Sequence, residues 1–263
     1  MGQMLIFGMG YAASHLAARL EARGWDVAGT TRDGRGGGIA FDDEPAILAA
    51  LRSATHILSS VPPAAGTDPV LARYGDAIAL APANWVGYLS STGVYGDTGG
   101  AWVDESAPVK GRRPDRNAAD AAWAVLRGDM RVFRLPGIYG PGRSILDRIR
   151  DGRAHRIALP DQLFSRVHID DIAGGVIASF GGPAGVYHLA DDEPCPQNRL
   201  VEWGCAMLGA PLPPVQTLDE AGLSPAARAF YAENRRVANG KAKRLLGWTP
   251  KYPSFREGLA ACR

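Results

Sequence analysis

The chain has 263 residues, 46% of them hydrophobic, and a net charge of +2 from 29 lysines and arginines against 27 acidic residues. This length buries a substantial core in one domain, or in one domain with a smaller lobe. The near balance of charge leaves no basic field for nucleic acid or a membrane surface, so the expected partner is a small-molecule substrate or ligand. Cys195, Cys205 and Cys262 show no CxxC spacing, which indicates reduced thiols and neither a disulfide framework nor a metal site. No apolar run reaches the ~18 residues of a membrane span and no signal sequence precedes the first strand, so a cytoplasmic location is expected.

In chain order, short apolar runs at 4–8, 26–31, 38–41, 56–60, 85–90 and 131–135 read as strands. Stretches at 15–23, 45–51, 68–80 and 118–126 read as helices between most of them. The alternation predicts an α/β fold, a doubly wound, Rossmann-like parallel sheet whose ligands bind beyond the carboxyl ends of the strands. After residue 140 proline and glycine become frequent (PGIYGPGR, FGGPAG, GAPLPP) and the helices shorten. A smaller C-terminal substrate lobe is therefore expected. The division reads 1–140 with 164–182 for the dinucleotide-binding domain, and 141–163 with 183–263 for the lobe. The GRGGG tract at 34–38 reads as a flexible loop.

The first strand runs straight into GMGYAASH. Gly8, Gly10 and Ala13 fit G-x-G-x-x-[GA]: a tight turn, a close approach of backbone to pyrophosphate, and close helix packing. Amides at the following helix start would face phosphate. Tyr11 in the turn and Ser60 at the end of the fourth strand are assigned to the same site. At the end of the second strand, where an acidic residue would bond the ribose of NAD, the chain has Thr31 and Arg32. Arginine suits a 2′-phosphate, which favours NADP(H) over NAD(H); the competing readings are a solvated Arg32, or an Asp33 turned in toward an NAD ribose. Asp42, after the third strand, either faces the adenine side or is an exposed loop carboxylate.

LSSTGVYGD at 89–97, FRLPGIYGPGR at 133–143, FSRVHIDDIA at 164–173, GVYHLADDEP at 185–194 and RVANGKAKRLLGWTPKYPSFREGL near the C-terminus follow one another. In this combination the chain resembles the extended short-chain dehydrogenase/reductase family, which includes the NAD(P)-dependent epimerases and dehydratases of nucleotide sugars. The glycine turn is one residue shorter than the family's usual G-x-x-G-x-x-G. In that family a tyrosine transfers a proton while the nicotinamide exchanges a hydride, a lysine four residues later lowers the tyrosine's pKa and holds the ribose, and a serine or threonine bonds the substrate oxygen. A phenol with a pKa near ~10 needs such a cation to act as a base near neutrality. The resemblance implies that Ser91 is the hydroxyl, the alternative being a strand-end cap, and that Pro136, Gly137 and Ile138 border the nicotinamide. It also implies substrate contacts from Tyr95, Arg143 and Arg166, and a homodimer through the helix that carries Arg116.

At the tyrosine's place stands Arg116, and at the lysine's place Asp120; no Tyr-x-x-x-Lys occurs anywhere in the chain. Arginine stays protonated and cannot be the base, and an aspartate would raise a neighbouring phenol's pKa. Arg116 and Asp120, spaced i, i+4 on a helix, either pair with each other or face the cleft, with Asp120 on a ribose hydroxyl and Arg116 on an anionic group. Other candidates for a replacement acid or base are Tyr95, Asp104, Glu105, Lys110, Tyr139 and His168; packing explains the tyrosines, loop geometry the carboxylates, and capping by Asp170 or Asp171 the segment after His168. Two classes of function remain open: an atypical NADP(H)-dependent reductase, epimerase or dehydratase-like enzyme with a degenerate relay, and a dinucleotide-binding sensor or regulator without turnover.

Overall fold

A computed structural model describes residues 2–263. Its centre is a seven-stranded, all-parallel sheet: β1 (Gln3–Phe7), β2 (Asp26–Thr31), β3 (Ile39–Ala40), β4 (His56–Ser59), β5 (Trp85–Ser91), β6 (Met130–Leu135) and β7 (Gly185–His188), in the order β7-β6-β5-β4-β1-β2-β3. The central strands are buried on both faces: β1 reads as a continuous apolar run, MLIF, and β6 is buried over its whole length although it carries Arg131 and Arg134. The order reverses between β1 and β4, and this opens a crevice at their carboxyl ends.

Helices α1 (Tyr11–Glu21) and α6 (Ile169–Ala178) cover one face, and α2 (Glu44–Ser53), α3 (Pro69–Ala79) and α4 (Pro114–Val125) the other. Two of the helices start earlier than their sequence suggests. Tyr11 and Ala12 are already helical after Gly10, and Pro114 opens α4 four residues ahead of the alanine-rich stretch, because proline's fixed φ is preorganised for a first helical position.

The lobe is built on α5 (Ile145–Arg150), α7 (Gln197–Leu208), α8 (Pro225–Phe230) and α10 (Phe255–Ala260). Its core gathers Ile145, Leu146, Leu200, Val201, Phe255 and Leu259 with all three cysteines, which are free and buried. The expected boundary at residue 183 needs correction. β7 lies beyond it yet pairs with β6 in the main sheet, and Ala242 of α9 (Gly240–Leu246) and Trp248 pack into the same core as Met4 and Leu16. The GRGGG tract carries a short 3₁₀ turn at Arg35–Gly37, with Gly36 in the left-handed region at φ +67°. Among the described residues no helix is long and apolar enough to cross a membrane.

Candidate functional site

A cavity of about 700 Å³ lies at the carboxyl ends of β1, β2 and β4, lined by Gly8, Gly10, Thr31, Arg32, Asp42 and Ser60. Gly8 holds φ +85°, and a Cβ there would stand 2.7 Å from a Val61 methyl. Gly10 is different: a Cβ would meet nothing within 4 Å, so the missing side chain leaves open space in front of the turn. Gly10 is also the N-cap of α1 and offers no side chain to its first amides, whereas Asp43 and Asp68 cap α2 and α3. Uncapped amides facing open space fit a pyrophosphate. Ser60 Oγ donates to the Gly8 carbonyl at 2.5 Å and holds the turn.

The acidic groups near the ribose end are already engaged. Asp33 accepts from Arg35 Nε at 3.1 Å, and Asp42 from Arg73 at 2.6 Å. Arg32 lines the cavity with no side-chain partner among the described residues, and Arg35, absent from the sequence reading, lines it too. Two of the expected cofactor residues lie elsewhere. Ala13, in the first turn of α1, is fully buried in the core between the helix and the sheet, consistent with the close-packing role of the motif's last position. The Tyr11 hydroxyl donates to the Pro141 carbonyl at 2.9 Å, and its ring lies under the Arg143 guanidinium at 5.5 Å, so Tyr11 ties α1 to the lobe.

The relay position is locked rather than vacant. Asp120 is 1% exposed and does not pair with Arg116. Its carboxylate accepts from Ser90 Oγ at 2.5 Å, from Arg134 Nε at 3.1 and 3.2 Å and from a terminal nitrogen of Arg134 at 2.5 Å. Arg134, on β6, also donates to the Tyr95 hydroxyl at 2.6 Å. The chain continues from Tyr95 to His188 Nε2 at 2.6 Å and from His188 Nδ1 to the Ala238 carbonyl at 2.9 Å. These contacts are mutually consistent if His188 is neutral with its proton on Nδ1, and burial does push its pKa down. Tyr95 is therefore not a substrate contact: it is 2% exposed, and burial raises its pKa to about 12. Arg116 is half-buried, its Nε lacks a partner, and burial and Arg113 lower its pKa.

A second cavity, of about 430 Å³, opens at the carboxyl ends of β5 and β6 and is closed by the lobe. Ser91 and Pro136 line it, brought together because Ser91 pairs with Leu135 in the sheet. Ser91 caps the following turn by accepting the Gly93 amide at 3.1 Å and lines the cleft as well, with its O–H unassigned to any acceptor among the described residues. Opposite stand Arg112, Arg113, Glu233 and Arg235 with Phe164 and Phe230, residues the sequence reading missed because they come from segments more than fifty positions apart. A third cavity of about 460 Å³ shares Gly137 and Phe230 with the cleft and holds Arg143 and Arg166. Arg166 is 5% exposed and committed to the Phe164 and Cys195 carbonyls and to Gln197, so it is an anchor of the lobe rather than a free ligand contact.

The remaining acid–base candidates lie outside the cleft. Tyr139 is buried, and burial raises its pKa strongly. Asp104 accepts from Ser106, and Glu105 accepts the His188 amide at 2.9 Å. Lys110 is exposed. His168, not Asp170 or Asp171, caps α6, its Nδ1 accepting the Asp170 amide at 3.2 Å with a pKa lowered by burial to about 4. Asp170 pairs with His15 and Arg19, and Asp171 receives the Lys251 and Tyr252 amides.

No family model matches the chain. A conserved protein of unknown function from Silicibacter pomeroyi is 41% identical, with a TM-score of 0.90 over 100% of this chain and 98% of that one. A Streptomyces 3-diazoavenalumate denitrifying reductase is 33% identical over 181 residues, 60% of this chain; the match spans 58% of the reductase's length. The human epimerase family protein SDR39U1, solved with NADPH, shares the fold at 20% identity, with a TM-score of 0.78 over 98% of this chain and 97% of that one. The chain belongs to one family with the S. pomeroyi protein, and it carries the fold seen in the NAD-dependent epimerase/dehydratase structures.

Proposed function

We propose that the protein is an NADP(H)-dependent reductase that works without a tyrosine–lysine relay. The observation that carries this reading is the juxtaposition of two cavities along one sheet edge: an uncapped glycine turn at one, and a hydroxyl-bearing cleft at the other. The Streptomyces relative, named a reductase, supports the reductive direction. A bound reduced nicotinamide dinucleotide would supply the hydride. Gly8 and Gly10 let backbone amides approach the pyrophosphate. Arg32 reads the 2′-phosphate: it lines the cavity with no side-chain partner among the described residues. Ser91 donates its O–H to a substrate oxygen, and Leu163, Phe164 and Val237 exclude water from the cleft.

The phenols of Tyr95 and Tyr139 are buried away from the cleft, and Arg116 holds its proton at any working pH. The reading therefore confines the substrate to acceptors whose reduction draws no proton from a side chain; water supplies any that is needed. A second reading, a dinucleotide-binding regulator, rests on the Asp120–Arg134 lock and predicts binding without consumption of NADPH. Titration of stripped protein with NADPH, NADP⁺, NADH and NAD⁺ tests the proposal. NADPH should bind more tightly than NADH, and Arg32→Asp should reverse that order. Equal losses for both cofactors would remove Arg32 as the discriminating residue, and no binding of any of the four would remove the function.

A further inference from the structure

Phe230 is 47% exposed, a large apolar area for water to cover, and its ring lies parallel to Phe164 at 4.4 Å with 3° between the planes. Both rings line the Ser91 cleft, and Phe230 also forms the wall shared with the third cavity. The cleft is thus a chamber of about 430 Å³ with an aromatic side, within the ~300–1,000 Å³ usual for small-molecule sites.

Its cations are unequal. Glu233 holds Arg112 at 2.8 Å and Arg235 at 2.7 Å, and both arginines also donate to backbone carbonyls. Arg113, on the same wall at the start of α4, has no carboxylate and no side-chain hydrogen bond among the described residues. One turn along the helix the Nε of Arg116 is buried without a partner. The chamber therefore combines an exposed aromatic face with an uncompensated guanidinium.

Resting on the reductase reading of this cleft, we infer that its substrate is an aromatic carboxylate, the ring packed against Phe230 and the carboxylate held by Arg113. A planar guanidinium pairs with a carboxylate through two parallel hydrogen bonds, and a flat ring gains from offset stacking on phenylalanine. Neutral or aliphatic analogues forfeit one of these contacts.

The test is calorimetric titration of the NADP⁺-loaded protein with 4-hydroxycinnamate, its amide, cyclohexanecarboxylate and UDP, in the wild type and in Arg113→Gln, Arg113→Lys and Phe230→Leu. The acid should bind; the amide and Arg113→Gln should each lose about tenfold or more in affinity, with Arg113→Lys recovering part of it. Phe230→Leu should weaken the acid about three- to tenfold and leave cyclohexanecarboxylate, the weaker ligand, unchanged. Unaltered NADP⁺ affinity and melting temperature show that each variant is folded. Failure of NADP⁺ to bind the wild type overturns the reductase reading. Intact NADP⁺ binding with no affinity for the acid, equal affinity for acid and amide, or tighter binding of UDP overturns this inference alone.

Discussion

Rebuilding the family's relay by substitution is expected to fail at the level of folding. Asp120→Lys removes the only carboxylate on Arg134 among the described residues, and breaking a buried pair by deleting one partner costs about 3–5 kcal/mol. The new ammonium would stand roughly 4 Å from the guanidinium, adding about 4 kcal/mol of repulsion at an effective dielectric near 20. Together these reach about 8 kcal/mol, against a total of about 5–15 kcal/mol for a typical domain, so Asp120→Lys should be largely unfolded. Asp120→Asn keeps the shape but not the charge, and should cost about 3 kcal/mol. Urea denaturation followed by tryptophan fluorescence reads both, since Trp123 on the same helix is buried and stacked on Tyr88 at 5.1 Å. The charge swap Asp120→Lys with Arg134→Glu should recover more than half of the loss. If Asp120→Lys alone lies within about 1 kcal/mol of wild type, the lock contributes far less than a buried pair should.

Two further outcomes follow from buried and open space. Gly10→Leu should abolish NADPH binding with little change in melting temperature, because its side chain enters the cavity unopposed, whereas Gly8→Ala should lower the melting temperature through the strained φ and the Val61 contact; a stability loss at Gly10 matching that at Gly8 would contradict this. Asp191 is 2% exposed, both of its carboxylate oxygens lack partners, and burial raises its pKa to about 8 from 3.8. Between these values the unfolded state releases a proton that the folded state retains, so stability falls as pH rises through that window. Asp191→Asn should therefore gain on wild type from pH 5 to pH 8, by up to about 4 kcal/mol at roughly 1.4 kcal/mol per unit, read from urea midpoints at both pH values. Asp171, raised by burial to about 6, titrates in both proteins and cancels. A pH-independent difference would show that Asp191 is ionised in the folded state throughout.

What was legible in the sequence is what the chain writes locally. The strands of the first half and the glycine turn each occupy a few consecutive residues, and the apolar run of a buried parallel strand is plain in MLIF. β7 escaped because GVYH is only four residues long and sits among glycines, prolines and aspartates, so only its pairing with β6 identifies it. The missing relay was legible as two substitutions, but their meaning was not: an i, i+4 spacing pointed to an Arg116–Asp120 pair, while the actual partner, Arg134, arrives on a strand that nothing local connects to α4.

That difference bears on the chemistry. The carboxylate at the lysine's place is bound by Ser90 and Arg134, and through Arg134 to Tyr95 and His188, while Arg116 at the tyrosine's place keeps a buried Nε without a partner. The network joins the ends of β5, β6 and β7, the strands whose carboxyl termini carry Ser91 and Pro136. A fully satisfied buried network rigidifies what it touches. In this chain the lysine's place holds the cleft wall in position, and under the proposed function the choice of substrate falls to Arg113 at the start of α4, to Phe164 and, from the lobe, to Phe230.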